Sequence, residues 1–350
     1  MDTGRAAVLD TDGFLRRIPK VELHCHLEGS VRPATLADLA RANGVPLPRE
    51  NPEDLYEYED LDGFLAVYGL VCRSVVQRED FARITYESLE DGVRLGNLRY
   101  REMFFNPTLH MREGVPYADV IGGVVEGVRS AETDLGVRCR LIPSIYRQDP
   151  LPAAMEMLEA VLADRPDEVI GLGMDGDELR DPPERFAPVY KEAGNAGLRL
   201  TAHVAHDGPA ALIVTCLDGL GCERIDHGYH VLDDPRILTR TRDEGVPFAC
   251  SLGCPPLCGW PAELSRSPIR AMVDQGLWVT LNSDDPPMLH TDIGTDYVRF
   301  CGDLGYGPAK GRELALAAVD ACWLDDGERR ELRRTFEAEI DALDRELLGP

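Results

Sequence analysis

The sequence lacks the long apolar stretches and the excess of basic residues that membrane and nucleic-acid-binding proteins use. No apolar run in its 350 residues approaches the ~20 residues that a membrane-spanning helix needs. Lysine and arginine number 37 against 62 acidic residues, which gives a net charge of −25. Because nucleic acids and anionic membranes bind basic patches, this balance argues against both as partners.

A secretion signal and a disulfide framework are also missing. The opening segment MDTGRAAVLDTDGFLRRIPK has no apolar core of the kind that a signal peptide carries. The ten cysteines are scattered through a chain that is long for a disulfide scaffold. We therefore expect a cytoplasmic protein with reduced thiols, and a homo-oligomer is compatible with this composition.

What the sequence does contain is a repeated unit, a short apolar run followed by a longer amphipathic stretch. The runs predict strands at KVELHCHLE, NLRYREMFF, VRCRLIPSIY, EVIGLGMDG, LRLTAHV, ERIDHGYH, VPFACSL and LWVTLNSDD. Helical patterns separate them, such as YADVIGGVVEGVRSAETDLG and DGPAALIVTCLDGLG. This alternation predicts an α/β fold, a (β/α)8 barrel of the TIM type, with residues 1–350 as one domain. An open doubly wound sheet is the alternative, although no glycine-rich dinucleotide fingerprint follows the first strand.

Two segments are too long for the simple repeat. Residues 34–95, between the first two strands, exceed one crossover helix, and we expect extra helices there over the barrel mouth. Residues 309–348 are rich in alanine, leucine, glutamate and arginine. This composition predicts terminal helices with a solvated charged face.

Histidines and aspartates stand at the carboxyl ends of predicted strands, where barrel enzymes build their sites. His24 and His26 flank one residue on the first strand, so both imidazoles should point into the barrel. His203 ends the fifth strand, and Asp284 and Asp285 end the eighth. Three imidazoles and one carboxylate suit zinc, with a position left for a water that ionises near neutral pH. His227, at the end of the sixth strand, would be the base or electrostatic partner of that water.

Each of these features, taken alone, also has a purely structural explanation. One buried histidine is usually a satisfied core residue, and adjacent aspartates often form a turn or a helix cap. Cys250, Cys254 and Cys258 recur every four residues and offer a second metal site. Zinc cysteine pairs more often have two intervening residues, whereas these have three, so buried or pocket-lining thiols are the favoured interpretation. The same spacing argues against a cytidine-deaminase fold, whose motif contains Cys-x-x-Cys.

The quoted segments resemble the motifs of the adenosine deaminase family of the amidohydrolase superfamily. PKVELHCHLEGSVRP resembles the opening motif, NLRYREMFFNP the second strand, DGDE the fourth, DHGYH the sixth and LNSDDP the eighth. The resemblance implies one zinc ion per chain, held by His24, His26, His203 and Asp284. It also implies hydrolytic release of ammonia from an adenine-like nucleoside or a related aminoheterocycle.

The resemblance further implies roles for residues around the zinc. His227 would act on the metal-bound water, and Asp285 would meet the attacking oxygen or the leaving amine. Gly176 would contact the base of the substrate through its backbone, and Glu28 would lie near a sugar hydroxyl or an equivalent group. The expected partner is therefore a small molecule, a purine nucleoside or an analogue.

The chain departs from the family pattern on the substrate side. The fifth-strand motif of the family is His-x-x-Glu, whose glutamate protonates a ring nitrogen, and His206 occupies that position. It could donate a proton only as imidazolium, with Asp207, Asp175 or a substrate carboxylate offsetting the charge of the metal. Asp175 replaces a small apolar residue beside Gly176, and a buried acid needs a partner, so adenosine should be a poor substrate.

Two other readings of the site stay open. One is an enzyme of the same fold with an altered substrate or reaction, since the seventh-strand motif reads CPPLC where the family has a CPTSN-like sequence. The other is a non-catalytic nucleoside-binding protein that kept the pocket.

Overall fold

Parallel strands in sequence order form a barrel in the computed structural model, which describes residues 10–349. Residues 1–9 of the opening segment, and Pro350, lie outside the described residues. The strands are β1 (Lys20–His26), β2 (Leu98–Phe105), β3 (Arg138–Tyr146), β4 (Gly171–Asp175), β5 (Arg199–Val204), β6 (Arg224–His227), β7 (Pro247–Ser251) and β8 (Trp278–Asn282). Each strand pairs with the next, from β1 to β8. The backbone N–H of His26 donates to the carbonyl of Asp284 at 2.8 Å, which brings the two edges together and confirms the predicted (β/α)8 barrel.

Helices lie between and around the strands, as the alternation predicts. They include α1 (Thr11–Arg17), α2 (Pro33–Ala42), α3 (Leu61–Ser74), α4 (Arg78–Gly96), α5 (Pro107–Met111), α6 (Tyr117–Leu135), α7 (Leu151–Ala163), α8 (Ala187–Asn195), α9 (Ala211–Val214), α10 (Pro235–Asp243), α11 (Pro268–Asp274), α12 (Ile293–Tyr297), α13 (Gly307–Ala321) and α14 (Asp326–Leu347). A π-helix over Thr215–Leu220 continues α9. No helix within residues 10–349 combines the length and the hydropathy that crossing a bilayer requires.

The helix α6 shows how the local sequence produces the outer layer of the barrel. Its residues Val120, Val124, Val128 and Ala131 are buried, and their spacing of three or four places them on one helix face. The helix α6 contacts α4 and β3, and this buried face lies toward them. Gly136 follows the helix with φ at 70°, a left-handed conformation that ends helices and costs glycine little.

The two long segments contain the extra helices that their length predicts. Between β1 and β2, α2 and α3 precede the crossover helix α4, and Phe64, Leu65 and Tyr68 of α3 line the main cavity at the barrel mouth. At the other end of the chain, α13 packs against β1 and β8, and α14 packs against α13. The segment after β1 therefore roofs the site, whereas the C-terminal helices support the barrel wall.

Paired charges and one tryptophan fill the barrel below the site. Arg224 donates to Glu102 at 2.6 Å, and both side chains are fully buried. The Trp323 ring lies 4.1 Å from the Arg224 guanidinium, and the Trp323 backbone N–H donates to Glu102. Because alternate strand residues share a face, Asp226 lies above Arg224 on the same side of β6 and faces the site.

Candidate active site

Strand ends turn sharply where they present the predicted site residues. Ala205, His227 and Asp284 have left-handed φ values of 52°, 66° and 66°. A non-glycine residue in this region costs of order 1–3 kcal/mol and persists where its surroundings fix it. The turns direct the side chains that end β6 and follow β8 toward one point on the barrel axis.

The four predicted metal ligands converge at that point. His24 Nε2 lies 3.0 Å from Asp284 Oδ1, and His26 Nε2 lies 3.5 Å from the same oxygen. His26 Nε2 also lies 3.0 Å from His203 Nε2. One ligand atom from each of the four residues lies within 4.8 Å of the others. The structure therefore brings together all four side chains that the sequence singles out.

The donor set fits a tetrahedral metal ion. Within residues 10–349, His24 Nε2, one of the converging ligand atoms, is buried without a hydrogen-bond partner. Unpartnered buried polar atoms are costly and rare in folded proteins. Four ligands at about 2.0–2.1 Å from a zinc ion would stand about 3.3 Å apart, close to the separations observed.

Asp226 also belongs to this site, although no role was predicted for it from its motif DHGYH. Its carboxylate oxygens lie 3.3 Å from His24 Nδ1 and 3.6 Å from His203 Nδ1. Burial raises its pKa, but the adjacent His24 outweighs that effect and holds the pKa well below the usual range. An ionised carboxylate behind two metal-binding histidines orients both rings.

The Asp226→Asn variant should weaken zinc binding by about 10–100-fold, the typical cost of losing such a partner. The amide keeps the shape of the side chain but loses the charge that faces both Nδ1 atoms. Competition with a chromogenic chelator measures the affinity. Asp296→Asn is the matched control, since Asp296 is also fully buried but lies outside the pocket. Equal zinc affinity in both variants would remove Asp226 from the site.

The neighbouring carboxyls of Asp284 and Asp285 are driven to opposite protonation states. Burial raises both pKa values, but His24 beside Asp284 outweighs burial and holds that pKa well below its usual range. For Asp285, burial and the charge of Asp284 act together and raise the pKa well above its usual range. Gly29 makes room for this acid, because a Cβ there would stand 1.6 Å from Asp285 Oδ1. The pair thus offers one ligand and one neutral acid.

His227 lies between the ligand cluster and the pocket. Its ring centroid is 4.7 Å from that of His24 and 4.8 Å from that of His203, and its Nδ1 lies 3.2 Å from the Tyr229 hydroxyl. Burial and the neighbouring His206 hold the pKa of His227 well below its usual value. A neutral imidazole so placed can accept a proton from a reacting group.

His206 faces the pocket within a cluster of polar and sulfur atoms. Its Nδ1 lies 3.1 Å from Asp207 Oδ2, and its Nε2 lies 2.9 Å from Cys254 Sγ. Burial lowers the pKa of His206, but hydrogen bonds with Asp207 and Cys258 outweigh burial and raise the pKa to about 10. Asp207 thus supplies the offsetting charge that the sequence allowed for.

Glu178 fixes the loop that carries His206, a role that the sequence analysis did not assign. This residue is buried, and its Oε1 accepts hydrogen bonds from the backbone N–H groups of Asp207 and Gly208. The only sequence signal for it was its place in DGDE, directly after β4.

Asp175 and Gly176 lie on the pocket wall, where the resemblance placed them. Asn106 Nδ2 lies 2.9 Å from each carboxylate oxygen of Asp175, and His26 Nδ1 lies 3.8 Å from Asp175 Oδ2. Gly176 has φ at 92°, and a Cβ on it would stand 2.3 Å from Gln148 Oε1. This position therefore needs glycine, and its bare backbone faces the cavity.

Glu28, for which the resemblance implies a place near a sugar hydroxyl or an equivalent group, lies behind the surface of the pocket. It is 1% exposed and is absent from the cavity lining. Its Oε1 accepts from the Asn106 backbone N–H at 2.9 Å and lies 3.1 Å from His110 Nε2. The Tyr68 hydroxyl lies 3.0 Å from Glu28 Oε2 and 2.6 Å from Asn106 Oδ1. Glu28 braces the pocket wall through these contacts, and its contact with a substrate hydroxyl stays a prediction.

A cavity lies above these residues at the barrel mouth. Its floor carries the histidines and aspartates described above. Its walls combine the apolar side chains of Leu61, Phe64, Leu65, Leu257 and Leu289 with the polar groups of Tyr68, Tyr146 and Glu178. A flat, uncharged ring system with a few polar edges fits this combination of walls and floor.

Comparisons with known sequences find deaminases. The sequence matches the family model described as adenosine deaminase over residues 19–339. It is 35% identical to an adenine deaminase of Cupriavidus necator, covering 93% of this chain and 92% of the relative. It is also 35% identical to an adenine deaminase of Streptomyces coelicolor, covering 94% and 96%.

Solved structures give the same result. A crystal structure of an amidohydrolase from Burkholderia ambifaria with bound Zn superimposes with a TM-score of 0.92 at 34% identity, covering 99% of this chain and 97% of that chain. The adenine deaminase of Arthrobacter aurescens gives a TM-score of 0.88 at 30% identity, covering 93% and 99%.

Proposed function

The chain belongs to the adenosine deaminase family, and from this premise we propose that it is a zinc-dependent hydrolytic deaminase of an adenine-like aminoheterocycle. The observation that carries the proposal is the convergence of four ligand atoms within 4.8 Å of one another at the floor of a pocket that also contains His227 and Asp285. His24, His26, His203 and Asp284 would hold the zinc. When bound, zinc lowers the pKa of water so that a nucleophile is available near neutral pH.

The residues around the ligands divide the proton transfers among them. His227 is held neutral by burial and by His206, so its ring can take the proton of the attacking water. Asp285 lines the pocket beside Asp284, where its carboxyl can meet the attacking oxygen or the amine as the C–N bond breaks. Groups placed in this way typically contribute about 10²–10⁴-fold each to the rate.

His206 is the third proton-handling group of the proposal. Addition of water to a carbon of an aminopurine requires a proton at the adjacent ring nitrogen. His206 lines the pocket, and its raised pKa keeps the imidazolium available at neutral pH. It would therefore do the work that glutamate does in the motif that this chain resembles.

We propose a free base as the substrate, in preference to the nucleoside that the sequence also allowed. Glu28 is buried behind the cavity lining, and much of the lining is apolar. A ribose hydroxyl that is buried against the apolar part without a partner would cost about 1–3 kcal/mol. The adenine deaminases among its relatives support the same choice.

Steady-state ammonia release from adenine and from adenosine, with the same zinc-loaded preparation, tests this choice. We expect kcat/KM for adenine to exceed that for adenosine by at least about tenfold, because even one unpartnered hydroxyl costs that much. Equal or faster turnover of adenosine would assign the enzyme to nucleosides.

An aminoheterocycle with an additional amino or cationic group is the second candidate substrate. The observation that favours it is the Asp175 carboxylate on the cavity wall. Burial raises the pKa of Asp175 despite the opposing effect of His203, and a donor on the substrate would stabilise the ionised form. Aminopterins and cyclic amidines tested beside adenine distinguish the two candidates.

A further inference from the structure

A second cluster of metal-ligating side chains lies beside the proposed zinc centre and shares none of its four ligands. Cys254 Sγ lies 2.9 Å from His206 Nε2, and Cys258 Sγ lies 3.0 Å from each of the two ring nitrogens of His206. Asp207 Oδ2 lies 3.1 Å from His206 Nδ1. A 3₁₀ turn over Pro255–Cys258 returns Cys258 to the side of Cys254, although three residues separate them.

We propose that His206, Cys254 and Cys258 form a site for one thiophilic divalent ion, with Asp207 at the opposite ring nitrogen of His206 as an outer partner that orients the ring. Two thiolates and one imidazole are ligands that zinc and softer ions prefer. The negative charges of the two thiolates balance the two positive charges of the ion, so the site gains no net charge when it fills. Cys250, the third cysteine of the series, does not take part, because its Sγ donates to the carbonyl of His227 on the other side of β7.

Occupation of this site would inhibit the enzyme. His206 and Cys254 both line the substrate cavity, so an ion bound between them occupies space needed by the substrate. The ion also takes the His206 nitrogen and removes its transferable proton. We therefore expect excess zinc to lower activity and a mild chelator to restore it.

The two sites differ in chemistry, which allows them to be distinguished by the choice of ion. The four-ligand cluster contains nitrogen and oxygen donors, whereas the second cluster contains two sulfurs. Softer ions favour the sulfur-rich site. Cadmium is therefore the appropriate probe for a protein that already holds one zinc per chain.

The experiment titrates zinc-loaded protein with cadmium, follows cadmium–thiolate absorption in the ultraviolet, and counts both metals after gel filtration. The wild-type protein should retain one cadmium and one zinc per chain. The C254S/C258S double variant should retain the zinc and lose the cadmium together with its thiolate absorption. Cys301→Ser is the matched control, since Cys301 is buried but absent from the cavity lining, and it should behave as wild type.

Cys258→Ser alone provides a milder test if the double variant does not fold. Loss of an outer partner typically costs about 10–100-fold in metal affinity, so loss of a direct thiolate ligand should weaken cadmium binding at least about 100-fold. Wild-type protein that binds no cadmium with thiolate absorption would overturn the proposal, as would equal cadmium binding by the double variant. The metal count requires no substrate, so its failure is independent of the proposed deaminase activity.

Discussion

Replacing His24 and His26 together with alanine should empty the four-ligand site of zinc and lower turnover by at least about 10⁴-fold. The two side chains supply two of the four converging ligands, and the remaining pair cannot hold the ion tightly. A positioned acid or base alone contributes about 10²–10⁴-fold, and loss of the ion removes the nucleophile as well. Metal analysis of the purified variant and ammonia release give the two readouts.

The control for this variant is His230→Ala. His230 contacts Asp233 at 2.7 Å and is absent from the cavity lining, so the change should preserve zinc and turnover. Circular dichroism of both variants separates loss of metal from loss of fold. A folded double variant with a full equivalent of zinc would show that the ion is held by other residues.

His206 should tolerate exchange for glutamate and not for glutamine. Glutamate in its acid form can donate a proton to a ring nitrogen, whereas a neutral amide has hydrogen-bond donors but no proton to transfer. We expect His206→Glu to keep or raise adenine deamination, and His206→Gln to lower kcat by at least about 10²-fold. Zinc content should remain unchanged in both variants.

Asp207→Asn supplies an intermediate case for the same hypothesis. Its carboxylate lies 3.1 Å from His206 Nδ1, and its removal should lower the His206 pKa and weaken proton donation without abolishing it. Near-native turnover by His206→Gln would show that the substrate needs no ring protonation. The altered-reaction interpretation would then replace the proton-donor role.

The ends of the strands were the part of the fold and site that sequence reasoning predicted best. Short apolar runs set the positions of β1 to β8, and in a parallel barrel their carboxyl ends must meet on one face. Strand alternation fixes the direction of the paired histidines. These two rules group His24, His26 and His203 with the adjacent Asp284 and Asp285, and the resemblance to the family selects Asp284 as the ligand.

Contacts that depend on loop geometry and on neighbouring strands could not be predicted in the same way. The pattern DGPAALIVTCLDGLG suggested a helix from residue 207, but α9 begins at Ala211. Glu178 takes the N–H groups of Asp207 and Gly208, and this holds the preceding loop out of the helix. The pairing of Asp226 with two histidine rings likewise needs the β5–β6 register, in which it lies opposite His203.

Hydrogen bonds between side chains of distant segments were the second kind of feature that the sequence could not predict. Glu28 stands in a motif that implies a substrate contact, yet Tyr68 from α3 and His110 from α5 engage its carboxylate. His206 also contacts Cys258. Both residues differ from the family motifs, and they are far apart in the chain. Neither contact follows from spacing, because each depends on how separate segments fold over the barrel mouth.

The most direct test of hydrolytic deamination at this centre follows the nitrogen and the oxygen of the reaction together. Zinc-loaded protein is incubated with adenine in water enriched in heavy oxygen, and ammonia and the mass of the product are measured. The account predicts one ammonia per product molecule, one solvent oxygen in that product, and neither with the His24→Ala, His26→Ala variant. Protein with a full complement of zinc that releases no ammonia from adenine or any other aminoheterocycle, or forms product without solvent oxygen, would contradict it.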